Sequence, residues 1–137
     1  MNTGGFLFFA FGPYVDPLII AKLDPECESM GIARVEGHRL AFTPEGWSNL
    51  KPEPGSTVWG VMWLVPAGRM AELDAWARSR GFKRGVTFVV SPAGPRVPAT
   101  AYFDLEASEG KPDAGELQKC VMGAGRSRLP KEYLAQL

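Results

Sequence analysis

A chain of 137 residues is the size of one domain, and 45% hydrophobic residues are enough for a sizeable core. Fifteen basic and fifteen acidic residues balance to a formal charge of zero, which argues against a nucleic-acid binder, since that function needs a basic face to displace counterions. Cys27 and Cys120 lie far apart and in no C-x-x-C pattern, so they read as two buried, reduced thiols in a cytoplasmic setting. The one histidine, His38, sits in a turn-like Glu36-Gly37-His38-Arg39-Leu40 and reads as structural or exposed. A metal site would therefore have to come from carboxylates or distant thiols, and no such cluster is visible in the sequence. A Ser-His-Asp or Cys-His centre would depend on that one imidazole and is disfavoured.

The apolar start, Phe6-Leu7-Phe8-Phe9-Ala10-Phe11, is too short to span a bilayer and no basic residue precedes it, so it predicts a first core strand rather than a membrane or secretory segment. Gly12-Pro13-Tyr14 breaks that strand. Asp16 and Pro17 cap and open a short helix over 16–22. Met30–Val35 and Arg39–Thr43 are two β-like runs around Gly37, as in a hairpin or a bent strand. Pro44–Pro54, with three prolines and a glycine, predicts a loop, with Trp47 packed back on the body. Thr57–Val65 is apolar on both faces, the pattern of a central or barrel strand. A helix follows with Met70, Leu73, Trp76 and Ala77 on one stripe and Gly81 as its end. Phe82–Ser91 and Val97–Leu105 read as strands joined by the Pro92-Ala93-Gly94-Pro95 turn. Asp113–Met122 reads as a helix capped by Asp113 and broken by Gly123-Ala124-Gly125, and a last short helix begins near Pro130. One α+β domain over 1–137 with a strongly bent or closed sheet is the expected architecture.

Several runs fall in a recognisable order. Gly31-Ile32-Ala33-Arg34-Val35-Glu36-Gly37-His38-Arg39-Leu40-Ala41-Phe42 is similar to a G-x-A-x-L-x-G-Y-R-L-x-F signature. Pro54-Gly55-Ser56-Thr57-Val58-Trp59-Gly60-Val61-Met62-Trp63-Leu64 resembles a P-G-x-x-V-x-G-V-x-Y-x-L strand. Leu73-Asp74 opens an L-D-x-x-E-G helix, Ala99-Thr100-Ala101-Tyr102 resembles an A-x-x-Y strand, and Leu129-Pro130-Lys131-Glu132-Tyr133-Leu134 resembles a closing L-P-x-x-Y-x helix. In this order they resemble the γ-glutamylcyclotransferase superfamily, which includes the AIG2-like proteins.

The resemblance implies a small closed mixed β-barrel flanked by short helices, with a pocket at one end and no cofactor. Its enzymes cyclise a γ-glutamyl group, releasing 5-oxoproline. The α-amine must lose a proton before it can attack, so a base is needed, and donors must hold the developing oxyanion. The family supplies the base as the glutamate of L-D-x-x-E-G and the donors through a Y-G-S-N-L turn. This chain departs at both places. The glutamate position is Ala77, followed by Arg78 where the family prefers glycine. The turn reads Phe11-Gly12-Pro13-Tyr14-Val15, in which Pro13 has no N–H and Tyr14 replaces a smaller asparagine.

The resemblance therefore places Phe11, Gly12, Pro13, Tyr14, Val15 and Tyr102 at the binding site. Asp74, three residues before Ala77 and so its neighbour on the helix surface, is the candidate for a relocated catalytic carboxylate. Glu72 falls about 140° around the helix from Ala77 and reads as solvated. Trp59 and Trp63 share a strand face, as pocket lining or core filling. Three functions stay open: a small-molecule binder with ordinary cyclotransferase activity lost or altered, a working cyclotransferase or related amide-cleaving enzyme using Asp74, and an interaction protein using the fold as a body. A homodimer is left open; nucleic acid and membrane are not expected partners.

Overall fold

The computed structural model describes residues 4–92 and 94–137. Ala93, in the expected Pro92–Pro95 turn, lies outside the described residues. Five strands close into a barrel in the order β1-β3-β2-β4-β5. Strand β1 (Gly5–Ala10) runs antiparallel to β3 (Ser48–Pro66), with Phe6 opposite Val65, Phe8 opposite Trp63 and Ala10 opposite Val61. Its other neighbour is β5 (Arg96–Phe103), to which it is parallel at Phe8 and Thr100. Strand β4 (Lys83–Val90) pairs antiparallel with β5 along its whole length and meets β2 (Glu28–Phe42) at Arg34 and Val90, which completes the closure. Thr57–Val65 is thus a central strand, flanked by β1 and β2, as its two apolar faces require.

Two local expectations are corrected, and of the hairpin and the bent strand around Gly37 the bent strand forms. The runs on either side of Gly37 form one continuous strand, β2, bent at a register shift between Glu36 and His38. Most of the expected loop over 44–54 is strand: β3 starts at Ser48, and Lys51 and Pro52 pair with Arg39 and His38. Pro52 and Pro54 are tolerated because, among the described residues, this arm of the β2–β3 pair has no third strand on its other side, and sheet edges are where strand prolines are found. Finally, Gly123 and Gly125 do not break α3, which runs Ala114–Arg126. A Cβ on Gly123 would lie 3.0 Å from atoms of both Val15 and Asp16, so this glycine is a site of close packing inside a helix.

The remaining elements follow the sequence closely. A 3-10 turn, Gly12–Val15, leads into α1 (Pro17–Leu23), whose Asp16 cap accepts from the Leu18 N–H at 2.9 Å. Helix α2 (Met70–Arg78) buries Leu73 and Ala77. It ends in a left-handed Gly81 at φ +82°, with the Phe82 N–H reaching the Ala77 carbonyl and the Gly81 N–H that of Arg78. These two bonds form a Schellman cap. Asp113 caps α3 by accepting from the Gly115 and Glu116 N–H groups, and α4 (Lys131–Leu134) starts at Pro130. Phe9, Ala33, Val58, Val65, Val89 and Ala101 are wholly buried in the barrel strands, and burial of a side chain such as Phe9 or Val58 contributes roughly 1.5–3 kcal/mol. Cys120 is buried as expected, whereas Cys27 is half-buried; both are free thiols.

Candidate functional site

The candidate site lies where β1 and β5 end and β4 begins. Phe8 to Phe11 come from the end of β1, Tyr102 from β5, and Phe82 from the lead-in to β4. The 3-10 turn supplies Tyr14, the start of β3 Trp47 and Ser48, α2 and its end Trp76 and Arg80, and α3 Glu116. Glycine at position 12 is required by the backbone, which has φ +66°, and by space, since a Cβ would sit 2.7 Å from Ser48. The turn is thereby clamped onto β3. It is also held from the other side: Arg126 pairs with the buried Asp16 carboxylate, and the Ser127 hydroxyl donates to the Val15 carbonyl.

This pocket is nearly filled by its own side chains, with about 20 Å³ of free space, enough for little more than a water molecule. Tyr14 meets Trp76 edge-on at 4.7 Å between ring centres, and Trp76 meets Tyr102 edge-on at 6.0 Å. The Arg80 guanidinium lies over three rings, 4.3 Å from Trp47, 5.5 Å from Trp76 and 5.9 Å from Tyr14. Such contacts stabilise a cation by roughly 0.5–2 kcal/mol, more as water is excluded. Arg80 forms no ion pair with a described carboxylate; the rings hold its charge.

Burial raises the pKa of the Tyr14 hydroxyl; the Arg80 charge opposes that rise and the Glu116 carboxylate adds to it. Both groups are therefore electrostatic neighbours of Tyr14. Glu116 is only 5% exposed and accepts the Ser48 N–H at 2.8 Å. Ser48 Oγ lies 3.4 Å from the Cys120 sulfur, and burial pushes that thiol up to about 11, so it stays protonated at neutral pH.

Of the residues expected at the site, Phe11, Tyr14 and Tyr102 line the pocket. Gly12, Pro13 and Val15 are buried in the turn beside it, and the Pro13 carbonyl accepts from the Asp16 N–H. Ala77 is fully buried in the core and does not reach the lining. Asp74 is not part of the lining either. One of its oxygens accepts the Tyr102 hydroxyl at 2.7 Å and the other pairs with Arg84 at 3.3 Å. Burial first, and this bond second, raise the Tyr102 pKa. Glu72 is exposed and paired with Arg69. Trp63 is core, and Trp59 packs against the core under Arg34, away from this pocket. Glu116, Trp47, Trp76 and Arg80 were not among the expected site residues. Glu116 reads in sequence as an ordinary first-turn carboxylate after the Asp113 cap; only the long-range contact with Ser48 marks it.

The profile of the AIG2-like family matches residues 57–137. Bovine gamma-glutamylcyclotransferase is 27% identical over 148 aligned residues, covering 96% of this chain and 77% of that protein; the human protein of the same name is 26% identical with the same coverage. A solved gamma-glutamyl cyclotransferase superposes with a TM-score of 0.88 at 24% identity, covering 96% of this chain and 85% of that one. At that identity the superposition speaks for the fold alone: the closed five-stranded mixed barrel is that of gamma-glutamylcyclotransferase structures.

Proposed function

Because the chain belongs to the AIG2-like family, we propose that it is a γ-glutamylcyclotransferase-like barrel that binds a small amine- or carboxylate-bearing molecule, without ordinary cyclotransferase activity. The observation that carries this reading is the fully buried Ala77 at the position where the resemblance places the base. An alanine cannot take a proton, and a charged α-ammonium has no lone pair with which to attack. The pocket nonetheless keeps the features of a recognition site: an aromatic lining, a buried carboxylate at Glu116 and a cation at Arg80. Pockets of this composition orient a small ligand through a few polar groups set in an apolar wall. Among the described residues, no helix is long and apolar enough to cross a bilayer.

Tryptophan fluorescence and thermal shift with γ-glutamyl-alanine, a γ-glutamyl-amine, 5-oxoproline and simple amines test this proposal. Trp47 and Trp76 line the pocket, so a bound ligand should change emission saturably and raise Tm. Absence of both changes across the whole set would overturn ligand binding and favour the interaction-protein reading. Glu116 is the observation that keeps a second reading in view, an enzyme whose acid/base group has moved from α2 to α3. It is a pocket carboxylate, whereas both oxygens of Asp74 are already engaged.

A further inference from the structure

The geometry points to a cation-binding cage at the end of the barrel, in which Arg80 stands in for a small guanidinium- or ammonium-bearing ligand and gates its entry. This inference rests on the reading that the pocket takes a ligand, and it names the ligand's chemical class.

The first observation is the cage itself. Trp47, Trp76 and Tyr14 come from three separate segments and converge on one guanidinium, at 4.3, 5.5 and 5.9 Å. Several ring faces around one partly buried charge form an arrangement that selects cations over neutral molecules of similar size. The second is the buried Glu116 carboxylate in the same lining. Its negative charge attracts a cation placed beside it, so a cationic ligand is favoured twice, by the rings and by the charge.

The third observation is the way in. An open groove of about 490 Å³ lies against the pocket, lined in part by Glu45 and Asp104. Trp47, Arg80 and Phe82 line both spaces and so form the wall between them. Of the three, only Arg80 is long, flexible and held by its charge rather than by burial of an apolar body. It sits in the turn between α2 and the left-handed Gly81. Rotating its side chain outward brings the guanidinium toward the groove carboxylates and widens the opening between pocket and groove. The small free volume of the pocket then reflects the arginine that lies in it, and the site to be filled is the space the guanidinium vacates. An ammonium or guanidinium head fits that space, and a second cationic group on the same ligand would lie near Glu45 and Asp104.

Methylguanidinium and agmatine are the probes, with tryptophan fluorescence as the readout and near-ultraviolet circular dichroism as the check on folding. Arg80→Gln keeps most of the stem and removes the resident charge. It should bind methylguanidinium at least about 10-fold more tightly than the unaltered protein, since the ligand no longer competes with an internal cation. Adding Glu116→Gln, which can still accept the Ser48 N–H, should cancel that gain. Arg80→Lys retains a competing cation and serves as a second variant; it should bind like the unaltered protein. A natively folded Arg80→Gln that binds no better than the unaltered protein overturns the proposal, as does binding indifferent to Glu116→Gln. If 5-oxoproline binds while both cations do not, the cation cage is wrong and the ligand-binding reading stands. If neither these probes nor γ-glutamyl-alanine and a γ-glutamyl-amine bind any variant, both fail.

Discussion

Ala77 and Glu116 are the two buried residues that bear most on the proposed function. The first is enclosed by core: it is fully buried, and its own carbonyl closes the α2 cap by accepting from Phe82. From the sequence alone, Ala77→Glu would be expected to set a carboxylate at the pocket mouth. The structure leaves no free volume at this position, because Tyr14, Trp76 and Arg80 fill the neighbouring pocket. The substitution should therefore destabilise the protein by about 3–5 kcal/mol, the range for an uncompensated buried charge. Urea denaturation checks this. A loss below about 1 kcal/mol would mean that the pocket opens readily enough to take in the new side chain. Glu116 shows the opposite case, a polar residue buried at low cost because a backbone N–H meets it.

Among the elements, α3 is the one that braces the site. It carries Glu116, its Gly123 packs directly on Val15 and Asp16, and its Arg126 pairs with the Asp16 that caps α1. The binding turn is thus held by a helix more than 100 residues later in the chain, which explains why a turn with a proline and a tyrosine stays in place. Gly123→Val should force the two apart and cost about 1–3 kcal/mol, the usual range for overpacking a tight contact. It should also weaken ligand-induced fluorescence changes, since the Tyr14 turn would shift. Equal stability and equal binding in the variant would show that α3 does not set the turn. Helix propensity alone predicts the reverse sign, because valine is a better helix former than glycine.

At the scale of the whole molecule, much of the architecture was legible in the sequence. The two-faced apolar run at Thr57–Val65 announced a central strand, and the cap residues Asp16, Gly81 and Asp113 announced three helix boundaries. Less legible was whatever depends on partners distant in sequence. Ser48–Pro54 is rich in turn formers, yet it is strand because β2 pairs with it; Gly123-Ala124-Gly125 looks like a break, yet it is helix because the glycine is needed for packing. The same limit governed the site. Phe11, Tyr14 and Tyr102 line the pocket and belong to runs with a readable motif, while Glu116 and Arg80 carry no local pattern that distinguishes them from surface charges.

As proposed, this barrel keeps its family's frame and lacks its family's base. This proposal is tested most directly by the rate at which the purified protein releases 5-oxoproline from saturating γ-glutamyl-alanine or a γ-glutamyl-amine. Loss of a general base costs on the order of 10²–10⁴-fold, against a median enzyme turnover of about 10 per second. The account predicts a rate depressed by at least that factor and unchanged in Glu116→Gln and Asp74→Asn. Release at several turnovers per second would contradict it, and its abolition by Glu116→Gln would show that the base has moved to α3.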